Sequence, residues 1–137
     1  VPQRPPGMSR LVVDASVVVD ALVAEDAERV QDGIRGRRMV APAHLDAEVL
    51  NALRGLRRGR HLSPRRCAEA AVDLADLPLE RWQAEPAMLV RVLDLADAMT
   101  AYDALYVVLG DVVDAPLLTR DRRLAKAAER LIAVEIL

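Results

Sequence analysis

The chain has 137 residues, 53% of them apolar, enough to bury a core as one compact domain without disulfides or a structural metal. A single cysteine, Cys67, excludes an internal disulfide and any cysteine-based zinc site, and no apolar run nears the roughly 20 residues of a membrane span, so the expectation is a cytoplasmic protein. The formal charge of −2 hides an uneven distribution: arginines crowd the middle of the chain and Lys126 is the only lysine, a bias that suits bidentate phosphate or carboxylate contacts and that a GC-rich genome also produces.

Residues 1–7, VPQRPPG, carry three prolines and no apolar periodicity, and are expected to be a disordered lead or an upstream remnant, with one domain over residues 8–137. Leu11 to Val13 reads as a buried strand ending on Asp14, and Ser16 is the expected N-cap of a first helix through VVVDALV. A second helix is predicted from Ala27 to Ile34, a break at Gly36 and a strand at Met39 to Ala41. Pro42 is placed near the start of a long helix reaching about Arg60, and Ser63 with Pro64 caps the next helix, to about Asp76. A strand at Leu79 to Trp82, helices at Glu85 to Leu95 and Thr100 to Leu109, a strand at Pro116 to Thr119, a helix from Asp121 and a strand at Ile132 to Ile136 complete the series. Strands alternating with helices give an α/β class, a mainly parallel sheet flanked by helices on both faces.

Four carboxylates stand out against this frame. Asp14 and Asp121 lie just after strands, where parallel sheets bind their ligands, although an Asp there also caps the next helix. The long helix is predicted to bury Leu45, Val49, Ala52, Leu53 and Leu56, which leaves Glu48 about 80° from the centre of that stripe, either an ordinary boundary residue or one reaching toward a site. Asp103 sits in TAYDALYVVL, with no other charge and no basic residue within a turn, so its ionised form needs a cation or several donors. A cluster of such groups repels itself unless divalent cations lie between them. Oxygen-only ligands favour Mg²⁺ or Mn²⁺, and His44 and His61 are not near another predicted ligand in sequence.

The stretches VVDASVVVDAL, PAHLDAEVLNALR, AYDALYVVL and LLTRDRRLA, in this order and spacing, resemble the PIN-domain nucleases, and among them the VapC-type toxins of toxin–antitoxin pairs, over nearly the whole chain from Leu11. The resemblance implies a three-layer PIN-like sandwich and an acidic metal cluster of Asp14, Glu48, Asp103 and Asp121, Asp14 and Asp103 being closest to the metal. It adds the hydroxyls of Ser16 and Thr119, which capping alone also explains. It further implies Mg²⁺- or Mn²⁺-dependent hydrolysis of RNA to a 3′-hydroxyl and a 5′-phosphate, a VapB-type antitoxin that lays an arm with a basic group among the acids, and a homodimer. A structured RNA of the translation machinery is the expected target.

Arg54, Arg57, Arg58 and Arg60, with Arg65 and Arg66 beyond, form either a phosphate-gripping rim beside the acids or a solvated helix end. Tyr102 and Tyr106 are expected in the core, which leaves recognition to the RNA backbone. A haloacid-dehalogenase-type phosphatase lacks its second Asp, since Ser16 stands there, and no glycine-rich phosphate loop follows the first strand. The remaining alternatives are a PIN-like binding module without catalysis and a PIN ribonuclease of RNA maturation or decay.

Overall fold

The computed structural model describes residues 9–137, so the expected lead over residues 1–7 lies outside the described residues. Its centre is a five-stranded sheet, parallel at every pairing. The strands are β1 (Ser9–Val13), β2 (Arg37–Pro42), β3 (Leu79–Trp82), β4 (Leu117–Thr119) and β5 (Val134–Ile136), in the spatial order β3-β2-β1-β4-β5. β1 is central because it is apolar on both faces: Leu11, Val12 and Val13 are all fully buried. Its register sets Leu11 beside Met39 of β2 and Val13 beside Leu118 of β4.

The helices are α1 (Ala15–Val23), α2 (Glu28–Ile34), α3 (Leu45–Arg58), α4 (Pro64–Asp76), α5 (Pro86–Asp94), α6 (Ala101–Val112) and α7 (Arg122–Ala128). α1 to α4 pack among themselves, whereas α6 lies across β1, β2 and β4 with α5 against it. Right-handed crossovers account for the division, because the chain steps from β1 through β2 to β3 and then returns past β1 to β4 on the opposite face. β1 and β4 therefore flank the point where the strand order reverses, and at the carboxyl ends of the strands there open parallel sheets form the crevice that takes a ligand.

Several boundaries differ from the expectation for local reasons. Asp14, not Ser16, caps α1: its backbone is extended and its side chain accepts from the Val17 N–H. Pro42 is the last residue of β2 and not part of α3, whose first residue is Leu45; the strand has no need of a proline N–H at its end. α3 buries Leu45, Val49 and Leu53, leaves Leu56 half-buried and turns Ala52 to solvent, so its apolar stripe is narrower than expected. Ser63 caps α4 as predicted, its hydroxyl accepting from Arg66 N–H at 3.1 Å.

Candidate active site

Asp14 ends β1 and starts α1, which fixes it at the floor of the crevice with only 5% of its surface exposed. One carboxylate oxygen accepts from the Ser16 hydroxyl at 2.6 Å and the Val17 N–H at 3.2 Å; the other accepts from the Thr119 hydroxyl. No basic side chain pairs with it among the described residues. Burial pushes its carboxyl above the ordinary 3.8, the hydrogen bonds pull it back, and the nearby charge of Asp121 pushes it further up. Ser16 does not cap a helix here. Its hydroxyl braces Asp14 and accepts from Arg120 N–H at 3.1 Å, and Thr119, donating to Asp14, accepts from Asp121 N–H at 2.9 Å. These two hydroxyls tie the end of β1 to the loop after β4.

Glu48 stands on the first turn of α3, its side chain 33% exposed. Its Oε1 accepts from the Tyr106 hydroxyl of α6 at 2.7 Å and lies 3.0 Å from His44 Nε2, close enough for an ion pair but off the line of a good hydrogen bond. Burial alone would raise the Glu48 carboxyl; the His44 and Tyr106 contacts outweigh it and hold the group below its ordinary range. The expectation that His44 is remote from any acid is thereby corrected, since four residues along a helix bring two side chains to one face. Tyr106 is buried as expected, its hydroxyl raised far above the phenol range by burial and by Glu48. Tyr102 is not in the core: it is 64% exposed, its ring 5.8 Å from that of His44, which in turn meets Tyr106 edge-on at 5.1 Å.

Asp103 lies in the first turn of α6, its side chain 14% exposed, and Thr100 caps that helix. The compensating charge, absent nearby in sequence, arrives from α7: Arg123 donates to Asp103 Oδ2 at 3.0 Å and lies 3.5 Å from Asp121 Oδ2. Both carboxylates hold the exposed Arg123 guanidinium protonated to a higher pH, the Asp103 bond most. Asp121 is also the N-cap of α7, accepting from Arg123 and Leu124 N–H, so its capping reading is fulfilled alongside its place in the crevice.

All four predicted acids are thus joined in one series: Glu48 through Tyr106 toward Asp14, Asp14 through Thr119 to Asp121, and Asp121 through Arg123 to Asp103. Among the described residues no three acidic, histidine or cysteine side chains close on a single point as a metal cage. The donor chemistry nevertheless fits a hard divalent cation: carboxylate and hydroxyl oxygens gather at Asp14, whose buried charge meets no side-chain cation among the described residues, while between the other two aspartates Arg123 occupies the place such a cation would share. Asp20 of α1 is half-buried and paired with Arg120. Arg54, Arg57 and Arg58 line one shallow depression on α3, and Arg60 follows in the left-handed region at φ 60°. None of these four has an acidic partner among the described residues, in contrast to Arg65 and Arg66, which meet Glu69.

Comparison with known proteins bears on this arrangement. The model of the PIN domain matches residues 11–130, which takes in all four acids. The chain belongs to the PIN domain family. Ribonuclease VapC3 of Mycobacterium tuberculosis is 38% identical over 130 residues, covering 92% of this chain and 91% of its own. The PIN fold recurs in the structure of VapBC2 from Rickettsia felis bound to a DNA fragment from their promoter, at TM-score 0.64 and 11% identity over 93% of this chain and 98% of that one. It recurs also in VapC20 of M. tuberculosis, a Sarcin-Ricin loop cleaving toxin, at TM-score 0.58 and 14% identity over 78% and 86% of the two chains. Three residues of this PIN site were missing from the predicted set although the sequence held a signal for two of them: His44 precedes Glu48 by four residues and Tyr106 follows Asp103 by three, each on a shared helix face. Arg123 left no comparable trace, because its partner is twenty residues away.

Proposed function

We propose that this PIN protein is the toxin of a toxin–antitoxin pair and a Mg²⁺- or Mn²⁺-dependent endoribonuclease of the cytoplasm. The observation that carries the reading is the buried Asp14 at the strand-order reversal, joined to Asp121, Asp103 and Glu48 and met by no side-chain cation among the described residues. The 38% identity to a ribonuclease supports the same reading.

A divalent cation, when bound, supplies the charge that lowers the pKa of water and offsets the negative charge developing on the phosphoryl group. Asp14, Asp103 and Asp121 are the residues that would hold it, with Glu48 at the rim. Ser16, Thr119 and the Val17 N–H fix the Asp14 carboxylate in one orientation, so it needs no reorganisation as charge develops. Glu48 is kept ionised, and its Oε1 is already engaged by Tyr106 and His44, which leaves Oε2 to take a proton from water. Water oxygen bonds to phosphorus as the P–O3′ bond breaks, the leaving 3′-oxygen takes a proton from solvent and Glu48 returns its own to solvent, giving a 3′-hydroxyl and a 5′-phosphate. No side-chain nucleophile takes part; Cys67, 3.6 Å from the Leu53 carbonyl, is buried in α4.

A structured RNA of the translation machinery is the proposed target, a choice supported by the cleaved loop of VapC20. The proposed partner is a VapB-type antitoxin, in keeping with the VapBC2 complex, and Arg123 between two aspartates illustrates that the acids accept a guanidinium. Leu89, Val90 and Leu93, exposed along α5, support a homodimer. The test is cleavage of total cellular RNA by purified, partner-free protein with Mg²⁺, Mn²⁺ or EDTA, beside Asp14→Asn and Asp103→Asn. Metal-dependent cutting lost in both variants is expected; no cutting by folded wild type with either metal would leave a binding module.

A further inference from the structure

The residues that the acid cluster does not use gather on one side of it. An open cleft of about 690 Å³ is lined by His44, Glu48, Leu50, Asn51, Arg54 and Tyr102. It shares Glu48 with the acid series, so whatever fills it lies next to the reacting phosphate. Its volume falls within the roughly 300–1,000 Å³ typical of small-molecule sites.

We infer that this cleft holds one unstacked nucleobase of the RNA strand, flanking the phosphate that is cut. The inference rests on the ribonuclease reading and supplies its base-recognition site. Tyr102 offers the stacking face. It is 64% exposed, yet its ring is steadied by His44, which is itself wedged against buried Tyr106. An exposed tyrosine held in place by a second ring is a stacking platform with little freedom left to lose, and every base has a face that fits it. Asn51, on the turn of α3 that follows Glu48, presents an amide with both donor and acceptor, the pair needed to read a base edge. Arg54 lines the cleft and also the adjoining depression with Arg57 and Arg58, so the backbone leaving the pocket meets three guanidinium groups that have no acidic partner among the described residues. Those charges favour an anionic strand over the basic arm of a protein partner.

The experiment measures binding rather than cutting. Fluorescence anisotropy follows a short single-stranded RNA, and the same strand lacking its bases, on the full-length Asp14→Asn chain with and without Tyr102→Ala, Tyr102→Phe or Asn51→Ala. Tyr102 and Asn51 are exposed, so thermal melts of all variants should coincide. Tyr102→Ala is expected to weaken binding of the complete strand on the order of tenfold, with Tyr102→Phe close to the parent. For the base-free strand, Tyr102→Ala should change nothing. Equal binding of both strands by the parent, or an unchanged affinity in Tyr102→Ala, overturns the base pocket and leaves RNA cutting by wild type untouched. Unchanged RNA affinity with weakened binding of an arginine-rich peptide reassigns the cleft to a protein partner. No RNA binding here together with no cleavage by wild type overturns the ribonuclease reading and this inference with it.

Discussion

Asp14 accepts three hydrogen bonds but meets no cation among the described residues, so in the metal-free protein its charge is held by dipoles alone. Its raised pKa means that the folded state favours the protonated carboxyl: the stability it contributes is complete below the ordinary 3.8 and is lost as pH rises through the folded value. Glu48 has the opposite sign, contributing above its ordinary 4.5 and losing that contribution as pH falls through its lowered value. Asp14→Asn should therefore melt a few degrees higher than wild type in EDTA at neutral pH, a gain that vanishes below about pH 3.8, while abolishing cleavage. A lower melting point at neutral pH would mean that the hydrogen bonds outweigh the buried charge. Arg123 gives a second test. Its guanidinium competes with any cation at Asp103 and Asp121, so Arg123→Ala should bind Mn²⁺ more tightly, by up to about fivefold for so exposed a pair, in calorimetric titration. Tighter binding in wild type would show that Arg123 organises the acids instead of opposing the metal.

At the scale of elements, α6 does most to assemble the site, since it carries Tyr102, Asp103 and Tyr106 while crossing β1, β2 and β4. Gly110 lets it approach: a Cβ there would sit 2.9 Å from Ile132 Cδ1 and 3.1 Å from the Ala115 carbonyl oxygen. Ile132 can swing away, but the carbonyl is backbone, and Gly110→Ala should cost about 1–3 kcal/mol in denaturant melts despite the better helix propensity of alanine. No loss of stability would imply that α6 shifts freely, and Glu48–Tyr106 geometry with it. The elements themselves are readable because periodicity is local: the strand Leu79–Trp82 is predicted to the residue and Ser63 announces α4 as its cap, while Thr100, expected as the first residue of α6, is its N-cap. The errors have local causes too. Asp14 and Ser16 are both good caps two residues apart, and only the backbone extension at Asp14 decides between them. Tyr102 and Tyr106 share an apolar helix, and which of them is buried depends on distant segments: α6 packs across β1, β2 and β4, and the Tyr106 hydroxyl meets Glu48, fifty-eight residues earlier. The four acids were legible as a set only through the resemblance of the four stretches that carry them, since position alone left Glu48 open; their mutual links through Tyr106, Thr119 and Arg123 depend on side chains from distant segments.

At the scale of the whole molecule, the acids of the site lie at the carboxyl ends of the strands, while Arg54, Arg57, Arg58 and Arg60 stand at the end of α3 with no acidic partner among the described residues. Such a rim should make RNA binding strongly salt-dependent. Replacing Arg57 and Arg58 by glutamine is expected to flatten the slope of log affinity against log salt by about 0.7 for each phosphate that is no longer neutralised, with little change in melting temperature. An unaltered slope would assign both arginines to the solvated helix end. The strand order has its own consequence for how the protein is made. Thr119 and Arg120 reach back to Asp14 and Ser16 across more than a hundred residues, and β4 takes its place beside β1. A ribosome must therefore release most of the chain from its exit tunnel before the crevice has its second wall. Until then, the growing polypeptide carries Asp14 with neither the Thr119 hydroxyl nor the charge of Asp121 beside it, and the acids are brought together only as the last strands close the sheet.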